Sequence, residues 1–199
     1  MKNLEKWRQK QGLTQADAAA LLGVSQTYVS LVEKGARPLT PELRMRLELP
    51  LPAPSVDDRL RAGLSALGYP GFAHLPAARP APRPGAVLLE ALAQKDVDAR
   101  VAEALPWLVR QYAGKLNFPL LVNQAKLRNV QNRLGFLLQY TGAGGDSVQE
   151  LEAARLLMES TFCWDSMPKP TRDFVRQRRS KLAEYWNILT TLDQQNESQ

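Results

Sequence analysis

Between Leu4 and Gly35 the chain is punctuated so closely that only short helices fit. Leu4 to Gln11 reads as a first helix, and Gly12 closes it as a left-handed cap. Thr14 opens a second helix over Gln15–Leu22, with Asp17 three positions on to complete a capping box. Gly23 makes a tight turn, Ser25 caps a third helix over Gln26–Lys34, and Gly35 ends it. A fourth helix starts at Thr40-Pro41, with proline in the first turn where its missing N–H is harmless. Alanines 16, 18, 19 and 20 on the second helix allow another helix to cross closely. Leu21, Val24, Val29 and Val32 are expected to bury the seam between the second and third helices. Gln26, Thr27, Ser30, Leu31 and Lys34 are then left facing outward.

Two short helices joined by a glycine turn make a helix-turn-helix unit, whose second helix has the width of the DNA major groove. Leu13-Thr14-Gln15-Ala16, Leu22-Gly23-Val24-Ser25-Gln26 and Val29-Ser30-Leu31-Val32-Glu33-Lys34-Gly35 resemble the lambda-repressor/Cro-type (XRE) DNA-binding family. The resemblance covers residues 3–50, about a quarter of the chain. It implies a compact five-helix domain, used as a dimer on two-fold symmetric double-stranded operator DNA. It also implies that Gln15 holds a phosphate and that Gln26 and Thr27 touch base edges. Ser25 belongs to the same contact set as the cap of the recognition helix, and Ser30 and Leu31 occupy its next exposed turn. The chemistry agrees. A glutamine pairs bidentately with adenine and a threonine methyl meets a thymine methyl. Lys34, Arg37 and the Tyr28 hydroxyl are suited to phosphate. Leu31 departs from the family, which usually places a polar or basic residue there.

Charge points the same way. The chain carries 26 basic and 20 acidic residues, a net +6. Residues 1–50 hold 8 of the basic and 5 of the acidic groups, and residues 86–199 hold 14 and 13. The excess therefore lies in the first 85 positions, favouring a polyanionic partner.

Eight of the 14 prolines fall between Pro50 and Pro84. The runs Pro50–Pro54 and Pro80–Pro84 suit neither helix interior nor central strand. Residues 51–85 thus read as a proline-rich linker, with one short helix from Val56 to Leu67 capped by Ser55. Residues 86–192 read as a helical bundle for dimerisation or partner binding, and 193–199 as a disordered tail. Within the bundle, helices are expected at Val87–Leu92, Val101–Tyr112 (interrupted by Pro106), Phe118–Tyr140 and Arg172–Leu192, with a further apolar face at Leu151, Ala154, Leu157 and Met158. Asn123, Lys126, Asn129, Asn132 and Arg133 form a polar strip assigned to solvent. Trp107, Trp164 and Trp186 are assigned to the core or its rim. Arg172, Arg176, Arg178, Arg179 and Lys181 read as a solvated helix face, with contact to nucleic acid or to an acidic protein as the alternatives. No sustained period-two alternation occurs, so the fold class is all-α.

Little supports an enzyme. Cys163 is the single cysteine, which excludes an internal disulfide and a cysteine zinc cluster, and the single histidine, His74, leaves little basis for histidine metal sites or a Ser-His-Asp triad. Cys163 reads as a small buried hydrophobe. No Walker, GxGxxG, HExxH or GxSxG motif is present. No metal and no cofactor is expected. The N-terminus lacks a secretory h-region and no apolar run spans a bilayer, so a cytoplasmic protein without membrane contact is expected. A DNA-reading domain joined to a helical partner domain resembles the antitoxins of bacterial toxin–antitoxin operons, which repress their own promoter and bind a toxin. A phage or mobile-element repressor, whose second domain dimerises or binds a ligand, is the alternative. An enzyme or RNA-binding domain tethered to the DNA-binding module is the third.

Overall fold

The computed structural model describes residues 3–47, 54–162 and 164–192. The chain divides into two compact units, Met1–Ala53 and Pro54–Gln199. Both are helical. No helix among the described residues is long and apolar enough to cross a membrane.

The first unit contains α1 (Asn3–Lys10), α2 (Gln15–Leu22), α3 (Gln26–Lys34) and α4 (Pro41–Arg46). Each boundary from Thr14 onward carries its cap. Thr14 and Asp17 form a reciprocal capping box, and the Ser25 and Thr40 side chains accept from the third residue of their helices. Gly23 and Gly35 take φ of 68° and 73°, a left-handed conformation that only glycine adopts without cost. Leu4, Ala19, Leu22, Val29, Val32, Leu39, Leu43 and Leu47 form the core. Leu21, expected in the seam, is 59% exposed. The buried stripe of α2 runs through Ala18, Ala19 and Leu22 at helical spacing, and Leu21 falls one residue off it.

The second unit begins inside the segment expected to be a spacer. Residues 54–85 are not a free linker. Helix α5 (Val56–Ala66) and the turn Pro70–Phe72 send Leu60, Leu64 and Phe72 into the unit's core. The Arg61 guanidinium bonds Asp98 at 2.5 Å, and the Tyr112 hydroxyl donates to the Leu67 carbonyl at 2.7 Å. Proline excluded helix at both ends of this segment, but not packing between them. The run Pro50–Ala53 lies outside the described residues, as do Cys163 and the tail 193–199.

Then follow α6 (Pro84–Ala93), α7 (Ala99–Tyr112), α8 (Phe118–Leu127), α9 (Gln131–Thr141) and α10 (Asp146–Ala153). After them come β1 (Ser160–Thr161), α11 (Lys169–Arg178), α12 (Lys181–Tyr185) and β2 (Ile188–Leu189). The two-residue strands pair in parallel, Ser160 with Ile188 and Thr161 with Leu189. Pro106 does not interrupt α7. Ala104, Leu105, Leu108 and Val109 are buried on either side of it, and that burial outweighs the roughly 3 kcal/mol a mid-helix proline costs. The expected long helix 118–140 is two helices, because Asn129 turns left-handed (φ 56°) and stops α8. The expected last helix is likewise broken, at Arg179, where the backbone is extended before Ser180 caps α12.

Helix α9 is buried from Gln131 through Leu138 and is the spine of this unit. Its polar start corrects the solvent strip. Asn132 and Arg133 are 3% and 5% exposed. The Arg133 guanidinium donates to the carbonyls of Leu92, Gln94 and Thr161 and to Asp165. Asn132 clamps Leu156 through both its amide and its carbonyl, and donates also to the Trp186 carbonyl. Buried donors are stable only when satisfied, and these are. Trp186 is fully buried and Trp107 meets Tyr69 at a tilt and Tyr112 edge-on, but Trp164 is 43% exposed and not core. Leu157 and Met158 lie beyond α10 rather than on it, 86% and 72% exposed.

Candidate nucleic-acid interface

The outward face of α3 follows from what its inward face must bury. Val29, Val32 and Glu33 point into the unit. The positions left over, 26, 27, 30, 31 and 34, fall within an arc of about 140° on the outer side, with 26 at the edge of it next to Glu33. Gln26, Thr27 and Lys34 are exposed, and none of their side chains has a partner among the described residues. Ser30 and Leu31 are half-buried, so the second turn of the face is only partly available. Ser25 is committed to the cap, its Oγ accepting the Tyr28 N–H at 3.1 Å. Arg37, two residues past Gly35, is exposed, and its side chain is also without a partner among the described residues.

A buried ion pair sets this helix against its neighbours. The Arg8 guanidinium on α1 grips Glu33 on α3 with two bonds, Nε to Oε1 at 2.7 Å and Nη2 to Oε2 at 3.1 Å. A third guanidinium nitrogen donates to the Leu13 carbonyl at 2.9 Å. Gln15, the first residue of α2, donates to Glu33 Oε2 at 2.8 Å. Three helices thus converge on one carboxylate. Arg8 foremost, then Gln15, hold the Glu33 carboxyl below the usual carboxylate range against the opposing effect of burial.

Two expected roles change, one through this cluster and one through Pro38. One N–H of the Gln15 amide is occupied by Glu33, leaving the other for a phosphate. The Tyr28 hydroxyl is not free for phosphate at all, since it donates to the Pro38 carbonyl at 3.1 Å. Arg8 did not stand out in the sequence and Glu33 did so only as part of the family motif, with no role given to it, although one sign was present. Glu33 lies four residues after Val29 on the apolar stripe, and an acid on a buried stripe requires a partner.

The basic cluster of the second unit is largely self-satisfied. Arg176 and Arg179 both bond Glu159, Arg176 also bonds Asp173, and Arg172 donates to the carbonyls of Met167 and Asp165. Arg178 lies over the Phe174 ring at 3.8 Å. Arg172 and Arg179 are half-buried struts, whereas Arg176, Arg178 and Lys181 stay exposed, so the face is solvated but cross-linked by its own acids. No group of three or more metal-ligating side chains occurs among the described residues.

Two glycine-jointed helices, with a capped second helix whose polar face stands clear, are the geometry of a major-groove reader. Residues 4–48 match the helix-turn-helix family model. This is an XRE-type helix-turn-helix segment. The match identifies a DNA-binding module of the regulator type and covers the first unit alone. No curated protein and no solved structure matches the chain.

Proposed function

We propose that the protein is a bacterial transcription regulator, not an enzyme, acting in the cytoplasm on a two-fold operator as a homodimer. In this reading α3 lies in the major groove. Gln26 and Thr27 read base edges, Ser30 and Leu31 contribute less because they are half-buried, and Lys34, Arg37, Gln15 and the capped turn at Ser25 meet phosphates. The observation that carries it is the exposed, unpartnered set Gln26, Thr27 and Lys34 on the outer arc of a helix whose other side is anchored by Val29 and Val32. Selection of bound sequences from a randomised duplex pool tests it. Gln26→Ala is expected to weaken binding to the selected site by about 1–3 kcal/mol and to relax the preference there. Equal affinity for every duplex in the pool defeats base readout.

For the second unit we propose protein contact, as in an autorepressing antitoxin. Its support is Leu157-Met158, two adjacent apolar side chains held in water on a backbone clamped by Asn132 and Asn187 at Leu156. The alternative is a phage or mobile-element repressor in which the same face only dimerises. Leu157→Ser with Met158→Ser should leave the thermal midpoint unchanged, because neither side chain is buried. Co-expression with the product of the adjoining reading frame separates the readings. A complex abolished by the double substitution favours the antitoxin. A homodimer in sedimentation that the double substitution dissociates favours the repressor.

A further inference from the structure

Arg37 is held between two anchors, and Tyr28 supplies one of them. The Arg37 N–H donates to the Leu31 carbonyl on the last turn of α3 at 3.2 Å. The carbonyl of the next residue, Pro38, accepts the Tyr28 hydroxyl at 3.1 Å. The same hydroxyl oxygen accepts the Thr40 N–H at 3.2 Å. Thr40 in turn caps α4, accepting from Leu43 N–H at 3.4 Å. A phenol has one hydrogen to give and lone pairs to receive, and here both roles are filled. The Tyr28 ring packs against the core of the first unit, so the hydroxyl is a fixed point. The crossing from α3 to α4 is therefore stapled to the recognition helix on either side of Arg37.

We propose that Tyr28 is a positioning residue, a latch that fixes the Arg37 backbone so that the guanidinium meets a DNA phosphate beside Lys34. The proposal rests on the DNA-binding reading above. A latched backbone leaves only the side chain to be ordered on binding, whereas a loose loop would lose backbone freedom worth at least as much as one exposed ionic contact returns, so the Arg37–phosphate contact is not made. Tyr28 cannot donate to that phosphate itself while its hydrogen is on Pro38, so its effect on binding passes through Arg37.

Tyr28→Phe removes the latch and keeps the ring. Pro38 and Thr40 are both exposed, so water replaces the hydroxyl and the fold persists, which a thermal melt verifies. The readout is the salt dependence of binding of the full chain to a mixed-sequence duplex, where each phosphate contact adds about 0.9 to the slope of log affinity against log salt. Arg37→Ala is expected to make the slope shallower by about 0.9 per bound subunit, Tyr28→Phe by a similar amount, and the double variant by no more than Arg37→Ala alone. Lys34→Ala should lower the slope additively in every background. A Tyr28→Phe chain that binds more weakly with an unchanged slope has lost structure and not a phosphate, and overturns the latch. Additive slopes for Tyr28→Phe and Arg37→Ala, or no slope change in Arg37→Ala, also overturn it. A wild-type chain that does not bind the duplex, or binds it without salt dependence, defeats the DNA-binding reading itself, which is a separate outcome.

Discussion

Gly135→Ala should lower the thermal midpoint of the second unit by about 6–12 °C, corresponding to about 3 kcal/mol. The usual effect of this substitution in mid-helix is the reverse, since alanine is the better helix former by about 1 kcal/mol. Packing decides the sign. Gly135 lies in α9, and a Cβ built on it would stand 2.2 Å from both Cη2 and Cζ3 of Trp186 and 2.7 Å from Cε3. Carbon atoms do not approach below about 3.5 Å without strong repulsion. The ring has little room to retreat, because Trp186 is fully buried and its Nε1 donates to Gln139 Oε1 at 2.7 Å. Either α12 moves off the spine of the unit or the indole leaves its hydrogen bond. Far-UV circular dichroism on the full chain measures the midpoint. Adding Trp186→Phe to Gly135→Ala, which removes the colliding ring atoms, should recover part of the loss. An unchanged midpoint in the single variant would mean that the indole shifts without cost.

The first unit was legible because its instructions are local. Thr14 with Asp17, Gly23 with Ser25, Gly35, and Thr40-Pro41 each mark a helix end within a few residues, and every one of these boundaries is present. The same short range made Gln26, Thr27 and Lys34 readable as an outward face. Tyr28 was not readable, since the carbonyl that takes its hydrogen is ten residues away. The second unit was read less well for a related reason. Asn132 and Arg133 look like surface residues in sequence, and only the fold brings the carbonyls of Leu92, Leu156 and Thr161 to their side chains. Prolines between 54 and 85 ruled out long helix there but could not say whether Leu60, Leu64 and Phe72 had a core to enter. Asn129 in the left-handed region broke a helix whose apolar spacing runs on through it, because α8 and α9 face the same core.

Glu33→Gln is expected to destabilise the first unit on the order of 2 kcal/mol at neutral pH, the scale of hydrogen bonds to a buried charge. The carboxylate accepts two bonds from Arg8 and one from Gln15, and an amide oxygen and nitrogen cannot accept all three. The pH dependence identifies the charge as the cause. Because Arg8 and Gln15 hold the folded carboxyl below its ordinary value, the folded state binds the proton more weakly than the unfolded state. The carboxylate's contribution is then complete above the unfolded value of about 4.3 and fades as the pH falls through the folded one. The stability difference between wild type and Glu33→Gln should therefore be constant from neutral pH to about 5 and shrink below about 4.3. Asp17, held low chiefly by its hydrogen bonds with Thr14, is present in both chains and cancels in the difference. Amide hydrogen exchange across α1, α2 and α3 of the full chain isolates this unit. A difference that stays constant down to acid pH would show that the loss comes from shape rather than charge. The expected result carries a consequence for DNA. The carboxylate joins α1 and α2 to α3 seven residues along from Gln26 and holds the Gln15 amide, so Glu33→Gln should weaken binding to the selected operator by loosening the seat of the recognition helix rather than by removing a group that reads bases.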